Sequence, residues 1–292
     1  MRANVGLWTG SIESQPLVAV PEIAATIEGQ GWASLWIPEA VGREAFTASQ
    51  LLLTATSRLE IGTGIASIWG RDAFAAASAG RTLRALSGNR FTLGLGVSHA
   101  PLVESMRGHN YGRPVAAMRD YLRAIGQTPP TVPGEAELPP IVIAALGPKM
   151  LDAAVEFGVG VHPYLVTPDW TAVTRSRVGA DTRIVVEQAA VVDPAADRDE
   201  WRRRAHAHLE IYSGLPNYRA SFERQGFSIE EDSVRGGSEK LKDAMVTHGV
   251  EATVSRVDEH FAAGATEVVV QVLGSNVTQV PTADWQLLAD AL

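Results

Sequence analysis

Short runs of β-branched and apolar residues alternate along this chain with longer segments of helical period, and that alternation restricts its fold more than any other feature. The strand-like runs are Val5–Trp8, Ser34–Pro38, Leu59–Ile65, Phe91–Val97, Ile141–Ala145, Gly160–Pro163, Ile184–Val192 and Glu267–Leu273. Helical period fills Leu17–Gln30, Thr47–Ser57, Ala73–Leu86, Val115–Ile125, Lys149–Phe157, Asp169–Val178, Asp197–Ser213, Glu251–Ala263 and Ala283–Leu292. Parallel strands need long crossovers, which helices supply, so repeated units of this kind predict a parallel sheet covered by helices. Gly31 after the first helix and Gly88-Asn89 after the third provide the left-handed or turn conformation at which a helix stops. With 292 residues and 46% hydrophobic content, the chain can fill one large barrel or two ordinary domains. No repeat, Gly/Ser linker or low-complexity tract divides it, so one domain over 1–292 is expected, with the proline-rich stretch 128–140 stiffening the approach to the fifth strand. The main excursion, at about 193–250 between the seventh and eighth strands, would act as a lid at one barrel end.

The formal net charge of −8 argues against a surface built for nucleic acid or an anionic membrane. No run approaches the roughly 20 apolar residues of a membrane span, and the first residues lack the apolar core of a signal peptide. A soluble, cytoplasmic protein is expected. With no cysteine, the chain has no disulfides, thiolate nucleophiles, iron–sulfur clusters or cysteine-held zinc, so any redox chemistry belongs to a bound organic cofactor. There is no HExxH, no Walker-type GK[ST], no GxSxG elbow and no carboxylate cluster with metal spacing. His206 and His208 are two apart on a predicted helix, face different sides, and belong to a helix expected to be solvated.

Ligands of parallel barrels sit at the carboxyl ends of the strands. That places Trp8, Thr9, Glu39, the run 64–69, Ser98, His99, the run 146–150, His162, Tyr164 and the run 271–275 at the mouth. In "AALGPKM", Gly147 permits close backbone approach, Pro148 suits a first helical position and Lys149 adds charge beside a helix start, which together suit a phosphate; an ordinary strand-to-helix turn would look the same. "GLGVSHAP" puts two glycines inside the fourth strand, where a planar ring could approach the backbone, and then Ser98 and His99 at its end. His99 suits proton transfer or is merely a half-exposed rim residue, and His162 is either a wall of the cofactor pocket or packing. Glu39 either handles a proton at the mouth or forms a salt bridge with Arg43 or Arg71.

The stretches "GLW", "LWIPE", "EIGTGI", "GLGVSHAPLVESMRGHNYGRPVAAMRDYL" and "AALGPKMLDAAVEFGVGVHPYLVTP" resemble the luciferase-like monooxygenase superfamily over most of the chain. Within it, "GVSHAP" through "YGRPVAAMRDYL" and the segment "LPNY…GF" resemble coenzyme F420-dependent oxidoreductases of actinobacterial type. The resemblance implies an α/β fold, a (β/α)8 TIM barrel of bacterial-luciferase type with an insertion between strands seven and eight. It implies F420 as cofactor, its tail at Leu146, Gly147 and Lys149, its ring near Glu39 and Ser67, and Val97, Ser98 and His99 along the ring edge. A bulge with a non-prolyl cis peptide at Gly64-Ile65, pressing on the ring from behind, is implied too. Sugar-phosphate dehydrogenases of the family carry Asp-His after strand two and an acid after strand four; this chain has Glu39-Ala40 and His99, so a glucose-6-phosphate substrate is not carried over. The implied reaction is hydride transfer between the deazaflavin and an unidentified small organic substrate. An FMN-dependent monooxygenase fed by a partner reductase is the alternative, and a non-catalytic flavin- or ligand-binding barrel the alternative of another class. A homodimer or higher homo-oligomer goes with the family.

Overall fold

The first and last strands of the chain are neighbours, which closes the sheet. In the computed structural model, which describes residues 4–40, 42–135, 137–276 and 278–292, β1 (Val5–Trp8) pairs with β2 (Ser34–Ile37) on one edge and β10 (Glu267–Val272) on the other, Leu7 lying opposite both Leu35 and Val270. From β2 the ring continues through β3 (Glu60–Thr63) with its short extension β4 (Ala66–Ser67), β5 (Phe91–Gly96), β6 (Ile141–Ile143) and β7 (Gly160–Val161). The other way round, β10 leads to β8 (Val185–Val191), and a bridge from Val161 to Ile184 joins β7 to β8. All pairings are parallel, so this is the expected (β/α)8 barrel, with β3 and β4 together forming its third strand.

The helices α1 (Val20–Gly29), α2 (Ala45–Ala55), α3 (Ala73–Ser87), α4 (Pro114–Gln127), α5 (Pro148–Phe157), α6 (Pro168–Val178), α7 (Arg198–Ser213), α8 (Pro216–Arg224), α9 (Glu239–Met245), α10 (Val250–Ala262) and α11 (Thr282–Ala291) follow the strands. Their ends obey local chemistry. Asp72 caps α3 by accepting from Ala75 N at 2.7 Å, and Gly88 ends it at φ 62°. Side chains alternate across each strand. One set, including Leu7, Leu35, Ile61, Leu93, Ile143 and Val268, packs with the helices. The other set, including Trp8, Trp36, Val142, Val185 and Val269, forms a second cluster that continues through Tyr164 into Trp201, Tyr218 and Phe222 of the excursion. At the amino end, Ser34 Oγ and Trp36 Nε1 donate to Glu267 Oε1 at 2.5 and 2.9 Å, and Arg183 pairs with the other oxygen at 2.6 Å, so that charged group is fully partnered.

The excursion holds more structure than the sequence suggests: α8, α9 and a third element, β9 (Val246–His248), which pairs along the carboxyl half of β8. β9 is only three residues long, too short for a period, and α8 carries a mixed "PNYRASFER" pattern. The expectation of a solvated α7 is corrected. Trp201, Arg204, Ala205, His208 and Leu209 form a buried face on it, because the helix lies on the barrel rather than projecting from it. Among the described residues no helix is long and apolar enough to cross a membrane.

Candidate active site

The third barrel strand is interrupted between β3 and β4, where the Gly64-Ile65 peptide is cis, as the resemblance implied. Gly64 N donates to Ile37 O at 2.7 Å, Gly64 O accepts from Trp8 Nε1 at 3.0 Å, and Ile65 O accepts from Glu39 N at 3.2 Å. The bulge thus hangs on β2 and its carboxyl end and, one strand further, on Trp8 of β1. It also explains the two glycines of β5. A Cβ on Gly94 would lie 1.8 Å from Thr63 O, and one on Gly96 would lie 2.1 Å from Ile65 Cδ1. The expected open floor for a ring is therefore corrected: these glycines admit the bulge of the adjacent strand. Ile65, Val97 and Leu146 give the mouth a half-buried apolar surface.

Glu39 braces the bulge from behind. One carboxylate oxygen accepts from Ser67 N at 2.7 Å, the other from Ala45 N at 3.3 Å, and Arg71 pairs with it. Arg71 in turn lies 4.6 Å over the Phe46 ring and contacts Glu44 at 2.7 Å. The salt bridge anticipated as one option is present, with Arg71 rather than Arg43. Ser67 is buried and its Oγ accepts from Trp69 N at 3.3 Å, while Trp69 Nε1 donates to Val97 O at 2.9 Å. Ser98 takes a left-handed φ of 55°, uncommon for a residue with a Cβ, and its carbonyl accepts from Tyr111 OH at 3.0 Å. His99 follows at the rim, its ring 5.8 Å from Tyr218 and hydrogen-bonded to Asn217 at the start of α8. Burial pulls the His99 pKa down, and the Asn217 contact partly restores it.

His162 lies inside the barrel under the bulge rather than at the rim. Its Nδ1 donates to Val185 O at 2.8 Å, its ring is 5.1 Å from Trp36, and its Nε2 is buried with no partner. That nitrogen would stand 3.1 Å from a Cβ on Gly64. Burial pushes the ring's pKa down to about 4, so it is neutral. On the other side of the mouth, Gly147 caps α5, Pro148 opens it, and Lys149 is exposed. Arg224 of α8 donates to Leu146 O at 3.2 Å and lies 3.5 Å from where a Gly147 Cβ would be, bringing a second cation to that helix start.

A match to the luciferase-like monooxygenase family spans residues 3–273. The chain belongs to that family. This luciferase-like barrel is an enzyme, and it resembles a Mycobacterium tuberculosis protein named as a coenzyme F420-dependent oxidoreductase, 26% identical over 91% of this chain and 94% of the relative. It also resembles the 5,10-methylenetetrahydromethanopterin reductase of Methanolobus tindarius, 25% identical over 92% of this chain and 91% of that one. In three dimensions it superposes on the coenzyme F420-dependent tetrahydromethanopterin reductase of Methanopyrus kandleri with a TM-score of 0.76, at 18% identity, covering 99% and 98% of the two chains.

Of the anticipated site residues, Glu39, Gly64, Ile65, Ser67, Val97 and Ser98 come together around the bulge. Leu146, Gly147, Pro148 and Lys149 gather with Arg224, and His99 meets α8. Sequence reasoning missed Arg224, for which no local signal exists, and, beyond Tyr164 and Gln271, which it placed at the mouth, the rest of a buried polar group beneath the excursion of this luciferase-like fold. There Tyr212 OH donates to Tyr164 OH at 3.2 Å and Tyr164 OH to Gln271 Oε1 at 2.6 Å, with Tyr218 4.7 Å from the Tyr212 ring and the Glu187 carboxyl close by. Glu187 carried a signal: it is a charged residue inside the apolar run "IVVEQAAVV" of a barrel strand.

Proposed function

We propose that this protein is a coenzyme F420-dependent oxidoreductase that moves a hydride between the deazaflavin and a small organic substrate, in a single-domain barrel whose 193–250 excursion is the lid. The observation that carries the reading is the near-full-length likeness to the mycobacterial protein named as an F420-dependent oxidoreductase. The residues at the mouth fit such a group. The half-buried Ile65, Val97 and Leu146 offer an apolar surface to a flat ring, and the buried, unpartnered Nε2 of His162 lies beneath the bulge. Gly147 at the start of α5, with Lys149 and Arg224, suits the phosphate-bearing tail through bare backbone N–H groups and two cations.

When bound, the deazaflavin supplies or accepts the hydride at its ring C5. The chain's own residues do the rest. Gly64 and Ile65 would back the ring with Ser67 behind them, Val97 and Ser98 would line its edge, and His162 would support the bulge from below. Leu146, Gly147, Pro148 and Lys149 hold the tail. Glu39, with both oxygens already engaged, keeps the bulge in shape and so positions rather than reacts. His99, held neutral by burial, exchanges protons at the rim where α8 closes. The test is to supply reduced F420 with a panel of ketone, enone and imine acceptors and follow the return of oxidised F420. Turnover with at least one class is expected; none with any class, alongside turnover with reduced FMN and oxygen, overturns the reading.

A further inference from the structure

The Glu187 carboxyl stands on β8, halfway round the ring from the β3–β4 bulge. It is 1% exposed. One oxygen accepts a long hydrogen bond from Leu165 N at 3.3 Å, and the other, Oε1, is buried with no partner. Leu165 holds a left-handed φ of 55°, an unusual conformation that aims its N–H at this carboxyl. Among the described residues Glu187 forms no ion pair; its surroundings are the phenols of Tyr164 on β7's carboxyl end, Tyr212 on α7 and Tyr218 on α8. Two of these hydroxyls are committed elsewhere, since Tyr212 donates to Tyr164 and Tyr164 to Gln271 on β10. His208 on α7 lies 6.1 Å from the Tyr164 ring, neutral and also without a partner at Nε2. A buried polar atom left unsatisfied costs about 1–3 kcal/mol, so two of them in a cluster that reaches the rim through Tyr218, 5.8 Å from the His99 ring, point to a ligand that completes it.

We propose that Glu187, with Tyr164 and Tyr212 beside it, forms the substrate's polar subsite, binds an uncharged carbonyl or alcohol oxygen, and gives that oxygen its proton. The inference rests on the oxidoreductase reading above. A neutral ligand is favoured because, among the described residues, no cation acts on Glu187 to help hold a carboxylate or phosphate, and because Glu187 is pushed up to about 8 by burial, which keeps it a hydrogen-bond donor at neutral pH. In the reducing direction the carbonyl carbon takes a hydride from reduced F420 and the Glu187 O–H bond breaks. The proton goes to the carbonyl oxygen, giving an alcohol and the Glu187 carboxylate; reduced F420 gives up a proton along with the hydride to become oxidised F420, and that proton restores the Glu187 acid through solvent. Alcohol oxidation is the same step reversed. His99 serves the solvent side of the mouth and Glu187 the opposite wall.

The test combines infrared spectroscopy with a binding titration. At pH 7 the spectrum of the cofactor-free protein minus that of Glu187→Gln should contain a protonated-carboxyl band. At least one neutral probe among cyclohexanone, 2-cyclohexen-1-one and 2-pentanol should shift it, whereas acetate should not. Absence of the band, a band that none of the three probes moves, or an equal shift with acetate overturns the proposal. F420 affinity, read by fluorescence, should be the same within about twofold for protein and variant. Failure of both to bind F420 would sink the cofactor reading and leave the carboxyl result standing by itself, so the two failures are distinguishable.

Discussion

Replacing Glu187 by glutamine should make the protein more stable, and by an amount that depends on pH. Below about pH 4.5 the carboxyl is protonated in both the folded and the unfolded chain and contributes nothing. Above that, the unfolded chain releases the proton while the folded one keeps it up to about pH 8, because burial disfavours the carboxylate. The folded state then binds more protons than the unfolded one, so stability falls as pH rises through this window and levels off above it. At 1.36 kcal/mol per pH unit, the interval from pH 5.5 to 8 is worth about 3 kcal/mol. Glutamine keeps the shape and the acceptor for Leu165 N but has no proton to lose. Urea denaturation of protein and variant at pH 5.5, 7 and 8 gives the difference directly, since the buried histidines His162, His208 and His260 are common to both and cancel. The variant's advantage should grow by about 3 kcal/mol across the series. A difference constant to within about 0.5 kcal/mol would mean that the Glu187 carboxyl is ionised or hydrated in the folded protein, and the reasoning would fail.

Glu39→Ala should cost about 1–3 kcal/mol of stability, because it leaves the Ser67 N–H without its acceptor and takes one of two carboxylates from the half-buried Arg71, which keeps Glu44, and should weaken cofactor binding through the loosened bulge; calorimetry and titration check the two effects. Lys149→Ala should weaken cofactor binding about tenfold while moving the melting temperature of the cofactor-free protein by no more than about 1 °C, as an exposed helix-start lysine adds charge and not packing; unchanged affinity would return "LGPKM" to an ordinary turn. His99→Ala should lower kcat by about tenfold or more with little change in cofactor affinity, and a collapse of affinity with turnover preserved on the loaded enzyme would make His99 a cofactor ligand instead.

The barrel was readable because each of its strands is an apolar run between helices of clear period, and because Gly31, Gly88 and Asn89 mark real left-handed turns, with φ of 87°, 62° and 74°. The residues around the bulge were readable through family resemblance. Their physical roles were not, since whether Glu39 reacts or braces depends on which cation reaches it, and Arg71 is 32 positions away. The glycines of β5 were assigned the wrong neighbour for the same reason: the sequence tells that something comes close, and only the fold tells that it is Thr63 and Ile65. The excursion was the least legible part, because α8 and β9 are short and Tyr212, Tyr218 and Arg224 gain their meaning from β7, β8 and α5, which they meet only after the chain has folded back over the mouth.

The central claim is that this barrel is built for the deazaflavin, and a side-by-side titration of the purified protein with F420 and with FMN, followed by fluorescence at one temperature and ionic strength, tests it most directly. The account predicts that F420 binds at least about tenfold more tightly, a difference of about 1.4 kcal/mol. Equal affinities, or a preference for FMN, would contradict it.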